Sequence, residues 1–245
     1  MAWLRYPMSW LIGFTALICY TAVQAETLLQ LKPFSASFSV KRNVMPLGEL
    51  SLEFSLSEQG AYIYRAHTQP GMLAGWFSAG EVIEESRGEL HQGSIQPSHY
   101  SYRDQDDEEE SASLEFDWGS GEVHTTSGGV RWSQPIARET QDRLSQQLLV
   151  RLHLAQGRRQ ITYQVADGGK IKQYHFRVEG EDQIDTPYGE MRCLRVERSK
   201  GTRKPDYTIW FAPQLDYLPV RIEREQSGRL YRMALDKISL DETAE

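Results

Sequence analysis

Phe34-Ser35-Ala36-Ser37-Phe38-Ser39-Val40-Lys41 is the stretch from which the fold can be read. Apolar Phe34, Ala36, Phe38 and Val40 alternate with Ser35, Ser37, Ser39 and Lys41. Successive side chains of an extended chain point to opposite faces, so the stretch reads as a strand with one face buried and one face wet. The same period returns in Leu50, Leu52, Phe54 and Leu56, and again in Tyr62, Tyr64 and Ala66. Ser57-Glu58-Gln59-Gly60 between them is a polar, glycine-containing link of hairpin length.

Outward from this core the pattern predicts further strands at Glu81–Arg87, His99–Arg103, Ala112–Trp118, Glu122–Thr126 and Val130–Trp132. It then resumes at Gln160–Val165, Lys170–Gly180, Glu190–Arg198, Asp206–Phe211, Pro219–Glu225 and Arg229–Leu240. Gly, Pro or Asp marks each break in the later series. One segment departs from period two: Leu144, Leu148, Leu149, Val150, Leu152 and Leu154 have helical spacing, which predicts a helix over 140–156 with Thr140 and Asp142 as capping residues. The connections are too short for repeated right-handed crossovers, which excludes a parallel β-α-β fold. The expected fold is mainly β: an antiparallel β-barrel or curved half-barrel sheet with one packed α-helix, in a single domain over 26–245.

Residues Met1–Ala25 follow the grammar of an export signal. Arg5 is their only charge, Trp10–Tyr20 is apolar, and Val23-Gln24-Ala25 places small residues before a cut between Ala25 and Glu26. The apolar core is about 11 residues where a membrane-spanning helix needs roughly 20, so no transmembrane helix is expected after cleavage. Ile18 is too bulky to precede a lipid-modified Cys19. Cleavage leaves Cys193 as the single cysteine in an oxidising periplasm, with no internal disulfide available. It is expected to be an inert, partly buried thiol.

The 245 residues carry 27 Lys+Arg against 34 Asp+Glu, a formal charge of −7, which excludes a broad cationic surface for nucleic acid. Mean hydropathy is −0.54, that of a chain whose body folds around its core in water. The acidic run Asp104–Glu110 lacks the regular ligand spacing and turn glycine of a calcium loop and reads as a solvated hairpin tip. His67, His91, His99, His124, His153 and His175 show no zinc spacing, and no phosphate-loop, dinucleotide or nucleophile-elbow motif occurs. No catalytic residue, metal or cofactor is implied.

In their order along the chain, several segments resemble the bacterial exported family catalogued as domain of unknown function 3108. They are the Phe34–Phe38 strand, Gly48, Tyr62/Tyr64, Glu84-Glu85-Ser86, Pro97-Ser98-His99-Tyr100, Phe116-Asp117-Trp118, Asp142–Ser145, Thr186–Gly189, Trp210–Pro213 and Leu218–Ile222. The resemblance implies a periplasmic or envelope β protein and carries over no catalytic residue. Trp210 through Ile238 also looks like the closing hairpins of lipoprotein-carrier half-barrels, an analogy of architecture alone.

These readings point to a non-enzymatic envelope protein that binds an apolar or amphiphilic small molecule. Candidate ligand contacts are Tyr62, Tyr64, Tyr100, Tyr102, Phe116 and Trp118, aromatics at spacing two, together with Met72, Leu73, Trp76 and Phe77 in an apolar segment bounded by Pro and Gly. Two alternatives stand beside this one. The first is a polysaccharide or ester hydrolase using Glu84, Glu85 or Asp117; the second is an assembly factor that binds another envelope protein through a sheet edge or the Met72–Phe77 segment.

Overall fold

Alternation at period two carries through nearly the whole chain in the computed structural model, which describes residues 31–71, 80–91, 93–201 and 204–240. The expected export segment with Ala25 and Glu26, and the apolar segment with Met72, Leu73, Trp76 and Phe77, lie outside the described residues. The strands are β1 (Phe34–Arg42), β2 (Met45–Leu56), β3 (Ala61–Pro70), β4 (Val82–His91), β5 (Ser94–Asp104), β6 (Ala112–Asp117), β7 (Glu122–Ser127) and β8 (Val130–Pro135). After the helix α1 (Ser145–Ala155) come β9 (Gln160–Asp167), β10 (Lys170–Thr186), β11 (Gly189–Lys200), β12 (Tyr207–Ala212), β13 (Leu218–Gln226) and β14 (Arg229–Leu240). All fourteen form one antiparallel sheet, curved and not closed, in the order β8-β7-β6-β5-β4-β3-β2-β1-β14-β13-β12-β11-β10-β9. Every neighbour but one is also a neighbour in sequence, so short hairpins build two meanders and the β1–β14 pair joins them.

The helix begins at Ser145 rather than Thr140. Gln141 is extended because its N–H donates to Gln164 O at 2.9 Å and its carbonyl accepts from Ala166 N–H at 2.8 Å, pairing it with β9. Thr140 caps no helix; its hydroxyl accepts the Ala137 N–H at 3.1 Å in the preceding turn. Asp142 does the capping. One carboxylate oxygen accepts the Leu144 and Ser145 amides at 2.7 and 2.8 Å, and Ser145 Oγ accepts the Asp142 N–H at 2.9 Å, a reciprocal box that satisfies donors the helix leaves unpaired.

The other Asp142 oxygen accepts from Ser86 Oγ on β4 at 2.6 Å, which leaves that hydroxyl free only to accept from Tyr62 on β3 at 3.0 Å. This chain fastens the start of the helix to the sheet. Along the rest of α1, Leu148, Leu149, Val150, Leu152 and Leu154 are buried in the core, each stabilising the fold by roughly 1.5–3 kcal/mol. Tyr64 donates to Gln147 Oε1 at 3.2 Å, Arg151 lies 4.8 Å over the Phe34 ring, and His153 Nδ1 and the Tyr163 hydroxyl share a hydrogen bond at 2.6 Å. The helix thus bridges the concave face from β3 to β9. Beneath it, Phe34 and Phe54 stack at 5.9 Å and Tyr64 meets both edge-on.

The two outer strands of the sheet approach each other. Gln134 Nε2 on β8 donates to Gly169 O in the β9–β10 turn at 3.0 Å. Gly169 has φ of +69°, and a Cβ there would stand 2.5 Å from the Trp132 ring, so both backbone and space require glycine. The β10–β11 hairpin runs further than the sequence pattern predicts, to Thr186 and from Gly189, through a register shift between Val178 and Gly180. Its tip reaches β14, where Tyr188 OH accepts the Ile238 N–H at 2.8 Å.

Burial pushes the Asp142 carboxyl up to about 6, against the hydrogen bonds that favour its ionised form. Folding therefore favours its proton, and the stability this brings is complete below the ordinary value of 3.8 and lost as pH rises through about 6. Burial, followed by the Arg158 charge, pushes the His153 imidazole down to about 4; its contribution is complete above 6.5 and lost as pH falls toward 4. The two slopes oppose one another. Asp142→Asn retains the capping oxygen and removes the first slope, so its stability in urea unfolding between pH 4 and 7 should fall more steeply on acidification than that of wild type. His153→Gln should do the reverse, and parallel profiles for the three proteins would contradict both assignments.

Candidate functional site

Of the aromatic candidates, Tyr62, Tyr64, Tyr100 and Phe116 lie on the concave face and are buried in the core. Their hydroxyls are engaged within the protein: Tyr62 with Ser86, Tyr64 with Gln147, and Tyr100 with Glu84 Oε2 at 2.5 Å. Burial first, and then the Glu84 charge, raises the Tyr100 hydroxyl far above the ordinary phenol range. Tyr102 is half-buried with the Arg143 guanidinium 5.6 Å from its ring, and Trp118 is half-buried at the β6–β7 turn. The candidate carboxylates diverge. Glu84 pairs with Arg143 and Tyr100 on the concave side, while Glu85, one residue along the strand, faces outward to Arg65 and Arg87. Asp117 accepts the Gly119 and Ser120 amides in a turn. These three do not share a cleft.

Strand register assembles a different surface. Val178, Val196, Ile209, Ile222, Met233 and Val40 are successive cross-strand partners, an apolar row over β10 to β14 and β1. Val196 is buried, whereas the other five are only partly so. One step further from the helix, the partners alternate in chemistry: Phe176 with Arg198, Arg198 with Tyr207, Arg224 with Tyr231, and Tyr231 with Arg42. Arg198 lies 4.6 Å over Tyr174 and 4.1 Å over Tyr207, Arg224 lies 5.4 Å over Tyr207, and Lys200 lies 5.1 Å over Tyr174. The result is a ladder of cations and aromatic faces along the rim of an apolar strip.

Charge along this rim is only partly balanced. Arg198 makes a two-point contact with Asp206 at 3.2 and 2.7 Å, and Asp167 accepts from Lys172, Tyr174 and Lys200. Although burial opposes it, these donors and the Lys200 charge hold the Asp167 carboxyl far below the usual carboxylate range. For Arg224 the contacts are the Tyr207 ring and its hydroxyl at 3.5 Å, and among the described residues no carboxylate stands within ion-pair distance of it. Sequence reading overlooked this ladder because Arg198, Tyr207, Arg224 and Tyr231 sit on four strands; only the pairing register shows them as neighbours.

The model of a family described as protein of unknown function (DUF3108) matches residues 37–233, most of the sheet. The chain belongs to that family. Among solved structures, it resembles a beta-barrel-like protein of domain of unknown function DUF1849 from Brucella abortus. That likeness covers 86% of this chain and 99% of that one, with a TM-score of 0.52 and 11% identity. The likeness supports the fold alone. LprF from Mycobacterium bovis aligns over 87% of this chain and 90% of its own with 11% identity, but its TM-score is 0.23. No curated protein matches the chain.

Among the described residues, no three of His, Cys, Asp and Glu gather as a metal site, and no helix is long and apolar enough to cross a membrane. Cys193 is fully buried on β11, and burial pushes its thiol up to about 11, so hardly any thiolate exists at neutral pH. The folded protein should leave Ellman's reagent unreacted at pH 8 and release one equivalent of thiolate when unfolded in guanidinium, provided the segment before Glu26 has been removed. Rapid reaction in the native state would show that the β11 face opens.

Proposed function

We propose that the chain is an exported envelope protein that binds an amphiphile, with its apolar part along the strip from Val178 to Val40 and an anionic head at the cation–aromatic rim. One observation carries this reading: half-buried apolar side chains lie directly beside a cation, Arg224, that the Tyr207 face orients without neutralising. Apolar surface left partly open next to convergent polar groups is the usual composition of a small-molecule site. The local charge also runs against the whole, since a chain of formal charge −7 gathers Arg42, Arg198, Lys200 and Arg224 along one edge. Divergence of Glu84, Glu85 and Asp117 gives the hydrolase alternative no shared centre on which two carboxylates could act.

The probe for this reading is a dansyl-labelled undecanoate, compared with the corresponding alcohol. Wild type should bind the carboxylate more tightly than the alcohol. Arg224→Gln should weaken the carboxylate by about tenfold, the effect of losing roughly 1.4 kcal/mol, and leave the alcohol unchanged. Equal affinities for the two probes in wild type, or an unchanged carboxylate affinity in the variant, would overturn the assignment. Export is supported by the order of charge, apolar core and small residues in Met1–Ala25. The mature protein should be recovered from the periplasmic fraction with Glu26 as its first residue on N-terminal sequencing; an uncut chain in the cytosol would contradict this.

A further inference from the structure

The apolar strip has two ends and a fixed length. Past Val40 the next cross-strand partner is Gly48, which adds no side chain, and a Cβ there would stand 2.1 Å from Gln69 O. At the other end β9 pairs with β10 only as far as Arg177, and the Val178 N–H donates to Arg159 O at 2.9 Å instead. Between these limits the row from Val178 to Val40 crosses six strands. Neighbouring strands lie about 4.8 Å apart, so the five steps amount to roughly 24 Å.

Depth is limited as well. Two residues nearer the helix, on the same strand faces as Ile209, Met233 and Val40, Phe211, Leu235 and Phe38 are buried. A ligand chain cannot run down a strand past them without displacing core side chains, so it must lie across the strands, along the row. Arg224 is two residues from Ile222 on β13 and stands beside the fourth of the six strands. From it three steps lead to Val178 and two to Val40, about 14 Å and about 10 Å. A single chain joined by its end to a head held at Arg224 can follow only one of these arms.

Resting on the reading that Arg224 receives an anionic head, we infer that the ligand has two tails: an anionic diacyl lipid whose chains diverge along the strip. One chain follows Ile209, Val196 and Val178, and the other follows Met233 and Val40. The gain comes from apolar area removed from water, and a one-tailed ligand leaves one arm wet. The surroundings of Arg224 are alike on both sides. Tyr207 on β12 meets it with its ring at 5.4 Å and its hydroxyl at 3.5 Å, and Tyr231 on β14 is its cross-strand partner. Elsewhere along the rim, Arg198 is held by Asp206, and Arg42 at the Val40 end donates to Met45 Sδ at 3.7 Å. A head placed at Arg42 would instead lay one long chain along the whole row, and tail number separates the two arrangements.

Titration calorimetry of the full mature chain, with each lipid below its critical micelle concentration, tests this. Dioctanoyl phosphatidate and hexadecanoyl lysophosphatidate carry the same head and the same number of chain carbons, in two tails or in one. Wild type should bind the two-tailed lipid about tenfold tighter or more. This comparison needs no variant, so it stands whatever a substitution does to folding. Ile209→Thr and Met233→Thr, one on each arm and both suited to a strand, should each weaken the two-tailed lipid by about threefold. The lysolipid should respond to only one of them. Equal or tighter binding of the lysolipid, loss of diacyl affinity in only one arm variant, or a larger loss from Arg42→Gln than from Arg224→Gln would overturn the inference. Equal affinities for dansyl-labelled undecanoate and its alcohol would remove the head site itself. If the carboxylate is preferred there while the two-tailed lipid binds no tighter, the second tail alone is excluded.

Discussion

One continuous ladder of fourteen strands has an apolar face that must be covered, and the rest of the structure follows from how that is done. Open sheets of this size tend to curl or split, because accumulated twist brings their ends together. Here the curl stops short of closure, and one capped helix lies across the gap. Asp142 is the hinge of that solution: it terminates the extended Gln141 segment on β9, starts the helix, and ties both to Ser86 and Tyr62 on the opposite side of the curve. A single buried carboxyl thus connects the first meander to the second. Desolvation, the cost of that position, appears as its raised affinity for a proton.

A helix of three turns cannot cover the concave face of so many strands, and its position divides that face in two. From Phe34, Phe54 and Tyr64 to Tyr163 the aromatic side chains meet α1, and their hydroxyls are held by helix, strand or loop partners. Beyond the helix, toward Val40, Ile222 and Met233, the same pleat continues without that cover, and its apolar side chains are only partly buried. Stability and ligand contact thus draw on the same alternation, at different distances from one helix.

Much of this architecture was legible in single residues. The alternation of Phe34, Ala36 and Phe38 fixed the strand class, and the glycine-bearing breaks placed the hairpins, because both signals are local. Helix onset was misplaced because Thr140 and Gln141 are held by β9, a tertiary pairing that helix propensity does not register. The β10–β11 hairpin extends to its Thr186–Gly189 tip because a bulge near Gly180 absorbs the break in period. For the candidate site the limit is of the same kind. A strand sequence states which residues share a face, but Arg198 and Tyr207 became neighbours only when the β11–β12 register was known.

The two faces of these strands treat arginine differently, and the contrast separates scaffold from site. On the convex side Arg177 pairs with Glu197 at 3.3 Å and Arg232 with Glu223 at 2.6 Å, each bridging adjacent strands. Exposed pairs of this kind add little stability, about 0–1 kcal/mol, but they cancel charge and protect the sheet from unwanted association. On the concave side, Tyr174, Tyr207 and Tyr231 are interleaved with the cations. A ring face attracts a guanidinium by roughly 0.5–2 kcal/mol, comparable to the exposed ion pair, yet leaves its full positive charge in place. Arg198 carries its own counter-ion in Asp206, while Arg224, one strand pair away, is oriented by Tyr207 alone among the described groups. Aromatic neighbours position that cation and keep its charge available, which is the property an anion-receiving rim requires.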